Sequence, residues 1–275
     1  MKKIAIYIVS ILLFSAFTYF SYQTYTKAIE LESINTKYYN AQTDIGDLIK
    51  RRFSSVLSTL SFGVIKDKEK KKIDLTRLKA QKIILKEQNQ KQLIYLAILA
   101  TFIVITLFML DKATYAILLS LSSLVALTFG IITPILMIVI HKQVNYLGDV
   151  ILSYESKTIV GTIEHLYSSH NYPVALIILL FSVVVPFIKS LLMLIIAIFK
   201  EFHIANKLIS IFKHLGKWSM LDVFVVSLLL VYLSVGSSQN SYSEIENGLY
   251  LFLIYVILSL INSIIVERLT ADNRT

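Results

Sequence analysis

Lys189 lies in an apolar run, Phe181-Ser-Val-Val-Val-Pro-Phe-Ile-Lys189, within a stretch long enough to cross a bilayer. A charged side chain at that depth costs several kcal/mol unless it faces protein or water, so it marks a functional site by default. Helical spacing puts Ser182, Pro186, Lys189 and Met193 on one face, three or four residues apart. An ammonium on such a face could hold an anionic head group. Three other apolar stretches carry comparable polar stripes: Ser123, Gly130 and Thr133; Ser227 and Ser234; Tyr255, Ser259 and Asn262. Together they read as a polar seam between four helices, able to admit water or part of a lipid. The plainer reading is that Ser, Thr and Asn glue membrane helices together at about 0.6 kcal/mol each. The lysine favours the seam.

Other chemistries lack their residues. The chain has no cysteine, which removes disulfides, thiolate metal sites and cysteine nucleophiles. Of five histidines only His165 and His170 are close, and no third ligand stands at a metal-binding spacing. No phosphate loop, serine-nucleophile motif or carboxylate pair is present, so neither catalysis nor a cofactor is expected. Basic residues gather at 25–91 without a nucleic-acid motif. Asp222 closes Ser219-Met-Leu-Asp222, the pattern of a capping box with Trp218 before it; it serves equally as a helix-start residue or as a partner for a lysine. Pro134 and Pro186 fall inside apolar spans, where each predicts a kink.

The elements that must position these residues follow from hydropathy. With 56% hydrophobic residues and a mean hydropathy of +0.68, this is not an ordinary soluble domain. Runs near 4–22, 93–110, 114–140, 173–199, 219–235 and 249–266 are long enough to cross ~30 Å of hydrocarbon. The expected fold is therefore an all-α polytopic integral membrane protein of about six spans. Residues 1–24 form an N-terminal anchor, read as uncleaved because no clear small-residue cleavage site follows. Residues 25–91 form a helical hairpin, its first arm with a seam at Leu31, Ile34, Tyr38, Ala41, Ile45, Leu48, Val56 and Leu60. A solvated spacer or a sensory segment also suits 25–91. Residues 92–112 hold the second span, 113–268 a four-helix module and 269–275 a tail. Within the module, 156–169 predicts a short amphipathic helix with Ile159, Ile163, Leu166 and Tyr167 on one face. Pro173 is expected in the first turn of the next span. Four lysines and one acid in 200–217 place that connection in the cytoplasm, and both termini with it. The hairpin then lies outside, against its basic character, at a length where loop charge no longer dictates topology.

Three motifs carry a resemblance. Glu155-Ser156-Lys157-Thr-Ile159, the FSxxxPxxK run ending at Lys189, and Trp218-Ser219-Met-Leu-Asp222-Val-Phe224 resemble the PqiA/LetA family of inner-membrane proteins, in the same order. The resemblance covers about 113–268. It implies residence in a bacterial inner membrane, a periplasmic MCE-domain partner, and movement of phospholipid between the inner and outer membranes. Two features depart from the family. Its members carry cysteine-rich zinc ribbons and two modules, whereas this chain has no cysteine and one module, which suggests pairing with a second copy. They also carry a lysine late in the module's third helix, where this chain has Tyr232-Leu-Ser-Val235. The expected function is lipid transport, with Lys189, Ser182, Pro186, Thr133, Ser227, Ser234 and Asn262 lining the path. A membrane scaffold or signalling protein using 25–91 as sensor or docking arm is the alternative.

Overall fold

The computed structural model describes residues 2–43, 65–106, 110–144, 148–199 and 241–272. Two long helices come first, α1 (Lys2–Thr43) and α2 (Ile65–Ile105), of 42 and 41 residues. At ~1.5 Å per residue each is about 60 Å long, twice the hydrocarbon thickness, so both project well beyond the bilayer. They run antiparallel: Phe20 meets Tyr95 edge to face at 5.9 Å, Asn89 donates to the Lys27 carbonyl at 3.4 Å, and Lys82 Nζ donates to the Tyr39 hydroxyl at 2.8 Å. The second arm continues unbroken into the apolar stretch at 93, as its sequence predicts.

The seam of α1 is Phe17, Ser21, Thr24, Ala28, Leu31, Asn35 and Tyr39, all buried and three or four residues apart. Leu31 takes its expected place, but Ile34 and Tyr38 are half-buried. Asn35 and Tyr39 displace them because this end of the helix packs against other protein. Asn35 Nδ2 lies 3.7 Å from Met137 Sδ, and the Tyr39 ring stacks on Tyr154 at 4.7 Å. The expected seam positions Ile45, Leu48, Val56 and Leu60 lie outside the described residues.

Helix α3 (Lys112–Ile132) ends at Thr133, where the span predicted for 114–140 should have continued. Pro134 stops the helix rather than kinking it, since it has no amide to donate and disfavours a helical conformation at the residue before it. The apolar residues that follow form a strand, β1 (Leu136–Val144), paired antiparallel with β2 (Gly148–Lys157) through a bulge at Ile140/His141. A third strand, β3 (Ser241–Ile245), pairs with the other edge of β1, giving the order β2-β1-β3. The membrane body is all-α as expected, and this small sheet caps one end of it.

Helix α4 (Ile159–Ser168) is capped by Thr158, whose Oγ1 accepts from the Gly161 amide at 2.8 Å. Ile159 is buried and Ile163 packs on the core, as their spacing predicts. Tyr167 leaves that face, 65% exposed, and its ring meets Tyr172 instead. His170 ends the helix in the left-handed region at φ 61, and Asn171 donates back to the Leu166 carbonyl. Helices α5 (Tyr172–Leu179) and α6 (Val185–Ile198) are joined by a π-helical turn, Leu180–Val184, with Pro173 in the first turn of α5. The last helix, α7 (Asn247–Asp272), packs mainly along α3. Gly130 allows close approach there: a Cβ would stand 3.0 Å from the Phe252 amide nitrogen.

Four of these segments are long and apolar enough to cross a membrane: Ile6–Asn40, Lys112–Ile132, Tyr172–Ile198 and Asn247–Leu269. Helix α2 is not among them, because Ile105 closes it soon after its apolar part begins at Leu93. The span expected at 219–235 lies outside the described residues. The end of α3 and the start of α7 meet beside the sheet, where the Gly248 amide donates to the Pro134 carbonyl, while α4 leads from the sheet to α5. The projecting parts of α1 and α2 lie there too, tied to the sheet through Tyr39–Tyr154 and Lys86–Glu244. At the opposite face Tyr7 donates to Asp111 at 3.4 Å.

Candidate functional site

Pro186 explains the shape of the helix that carries Lys189. Its ring cannot accept the carbonyl four residues earlier, at Ser182, in a regular helical turn. The backbone widens instead, and the Val185 amide bonds the Leu180 carbonyl five residues back. Such π-bulges rotate the following turn and recur at functional sites. Beyond the bulge, Pro186, Lys189, Ser190 and Met193 are buried, with Lys189 only 2% exposed. Leu191 and Phe187 point outward.

The side chains that converge with α6 come from α3 and α7. Asn262 Nδ2 donates to Ser120 Oγ at 2.7 Å, and Ser120 in turn donates to the Ala116 carbonyl. Ser123 Oγ donates to the Ser120 carbonyl at 2.9 Å and lies 3.4 Å from Ser190 Oγ. A continuous polar path thus crosses the module from Asn262 to the residue beside Lys189. Ser122 Oγ, Ser259 Oγ and Asn262 Oδ1 are also buried and have no hydrogen-bond partner among the described residues. An unsatisfied buried polar group costs about 1–3 kcal/mol, more than helix glue of this kind returns.

Of the residues chosen from sequence, Lys189, Ser182, Pro186, Ser123 and Asn262 come to this interior, with Tyr255 and Ser259 on the same helix as Asn262. Thr133 is buried but stands apart. It is about 15 Å along α3 from Ser123 at ~1.5 Å per residue, against the start of α7. Ser227, Ser234, Trp218, Ser219 and Asp222 lie outside the described residues. Sequence reading missed Ser120, Ser122 and Ser190. Ser120 and Ser123 form an i, i+3 pair facing Asn262, a signal available in the sequence.

Glu155, Ser156 and Lys157 hold a corner. They are the last residues of β2, paired with Ile138, Met137 and Leu136. The Lys157 carbonyl accepts from the Ile135 amide, its ammonium pairs with Glu155 at 2.9 Å, and Thr158 caps α4 next door. This run turns the chain from sheet to helix.

Where the sheet meets the projecting helices, Lys86 pairs with Glu244. Glu246 beside them is pushed up from 4.5 to about 7, by burial first and then by the Glu244 charge; Glu32 adds to this, while Lys86 and Lys82 oppose it. An acid whose folded pKa is raised contributes fully below its unfolded value, and that contribution is lost as pH climbs through the folded one. The folded chain should therefore lose on the order of 2 kcal/mol between pH 5 and pH 7.5 from this group. Thermal unfolding in detergent across that range should show the decline, and Glu246→Gln should flatten it. An identical slope in the variant would assign the dependence elsewhere.

The paraquat-inducible protein A family matches residues 113–270. Among curated proteins, the intermembrane transport protein PqiA of Escherichia coli K12 and that of Shigella flexneri are each 26% identical over 133 residues. The match covers 46% of this chain and 31% of each relative, so the chain spans about a third of the length of the curated relatives it matches. No solved structure matches. The match takes in α3, the sheet and α7 and leaves α1 and α2 outside. By that match this multi-pass membrane protein belongs to the paraquat-inducible protein A family.

Proposed function

We propose that the chain is a non-enzymatic inner-membrane component of an MCE-type lipid transport system, passing phospholipid between the membrane and a periplasmic MCE-domain partner. The observation that carries this reading is Lys189, 2% exposed within a membrane helix and beside a polar path with unsatisfied groups. The lysine holds the anionic head group, while Ser182, Ser190, Ser123 and Asn262 line the way. The related proteins named intermembrane transport protein PqiA support the same class of role. In this reading the sheet, α4 and the projecting helices face the periplasm, both termini face the cytoplasm, and a second copy supplies the other module.

Photo-crosslinking in native membranes tests it. A photoreactive residue replaces Ser182 or Met193, with outward-facing Leu191 as control, and adducts are identified by mass spectrometry. Phospholipid captured at the interior positions above the control, with an MCE-domain protein co-purifying, is the expected result. Equal labelling at all three positions would reduce Lys189 to a packing residue. The second reading, a scaffold or signalling protein, draws on the unbroken helices that run from the membrane into the 25–91 segment. Deleting 28–88 separates the two: a lost transcriptional response with lipid balance intact favours signalling.

A further inference from the structure

A cavity of about 690 Å³ lies between α1 and α2, bounded also by β3 and the start of α7. Its lining changes character along one face of α2. Lys82, Lys86 and Asn89 come first, then Leu93, Ile94 and Ala97. From Lys86 to Ala97 the helix rises about 16 Å at ~1.5 Å per residue, enough for a lipid head group and the upper part of its chains. Tyr250 of α7 faces the apolar end.

The polar end carries both charges. Lys82 donates to the Tyr39 hydroxyl, Lys86 pairs with Glu244, and Glu246 stands beside them. A purely anionic head would meet two glutamates, and a purely cationic one would meet two lysines. A head bearing a phosphate and an amine can satisfy both pairs. An independent observation points the same way. Asn35, Asn89 and Asn247, from three different helices, are 2%, 2% and 6% exposed and line the cavity. Each leaves one end of its amide without a partner: Oδ1 in Asn35 and Asn89, Nδ2 in Asn247. Two acceptors and a donor among the residues of the cavity wall are thus buried and unsatisfied.

We propose that this cavity is a binding site for one membrane amphiphile whose head carries both a phosphate and an amine, with its acyl chains lying over Leu93, Ile94, Ala97 and Tyr250. The site rests on the reading of the chain as a lipid-handling protein. It adds a second position, outside the Lys189 path, and names the head-group class.

The test uses the full chain in phosphatidylglycerol bilayer discs doped with a phosphatidylethanolamine carrying a diazirine in its acyl chain. A phosphatidylglycerol with the same diazirine is the comparison, and adducts are mapped by mass spectrometry. The expected result is labelling of 93–97 and Tyr250 by the ethanolamine probe about tenfold above the glycerol probe. Ala97→Trp, at an exposed position of the lining, should remove that labelling while Leu191 is labelled as before. Equal labelling by the two probes overturns the head-group assignment. Labelling of 93–97 no greater than that of exposed Ile98 means a water-filled vestibule and overturns the site. Adducts at Ser182 and Met193 in the same discs keep the two readings apart: labelling there without labelling here refutes this site alone, and the reverse refutes only the Lys189 path.

Discussion

Lys189→Ala should abolish the chain's ability to correct an envelope-permeability defect while its amount in the membrane stays near normal. The ammonium is 2% exposed inside a membrane helix, so membrane levels are measured beside growth to separate loss of function from loss of the fold. What alanine removes is a full charge buried in the α3–α6–α7 interior. Lys189→Met keeps the side-chain bulk without the charge and should fail in the same way, which separates electrostatics from packing. Lys189→Arg keeps the charge on a wider, planar head and should retain part of the activity. The readout is growth on detergent or bile salts in a strain lacking the native gene, with membrane levels measured by immunoblot. Full growth with both the alanine and the methionine variants would overturn the assignment.

Gly248→Ala should have the opposite profile, with the protein itself lost. A Cβ at Gly248 would stand 2.4 Å from the Thr133 carbonyl oxygen and 2.7 Å from that of Pro134. Both are backbone atoms. They are held where the Gly248 amide donates to Pro134 at 2.7 Å and the Glu246 amide to Ile135 at 3.1 Å. Relief would have to move the start of β1 away from α7, which costs about 3 kcal/mol or more in a close-packed interior. Gly130→Ala meets Phe252 at 3.0 Å and should be milder, since two helices can part slightly without breaking a strand register. Size-exclusion chromatography of fluorescently tagged full-length chain in detergent should show the Gly248→Ala peak collapsing and the Gly130→Ala peak reduced. Wild-type profiles for both would mean the junction is looser than its distances indicate.

The membrane body was legible because burial in lipid leaves a long apolar run that few other structures produce. The α1–α2 pair and the proline in the first turn of α5 were legible for similarly local reasons. The sheet was not. Leu136-Met-Ile-Val-Ile140 has the composition of a buried helix as much as that of a strand, and it follows an apolar helix directly. Pro134 carried the boundary signal, but a proline inside an apolar run also fits a kinked span. Ser241–Ile245 is a weak strand on its own and becomes one only because β1 offers it an edge. In the site, the lysine and its stripe were visible through their 3.6-residue period. The Ser120–Asn262 bond was not, because it depends on how far α7 is rotated about its axis against α3.

The order of strands has a consequence for synthesis. β1 is the central strand, yet its two partners are unequal in the chain: β2 follows at once, whereas Ser241 pairs with Ile140 about a hundred residues later. At ~5–20 residues per second, ribosomes need roughly five to twenty seconds to cover that interval. Throughout it, one edge of Leu136–Val144 presents unpaired amides and carbonyls, an invitation to any other extended chain. The sheet closes only when Ser241–Ile245 is delivered, just ahead of α7. A nascent chain stalled before residue 241 should therefore be a sticky one, and a chaperone that shields strand edges would have its moment there.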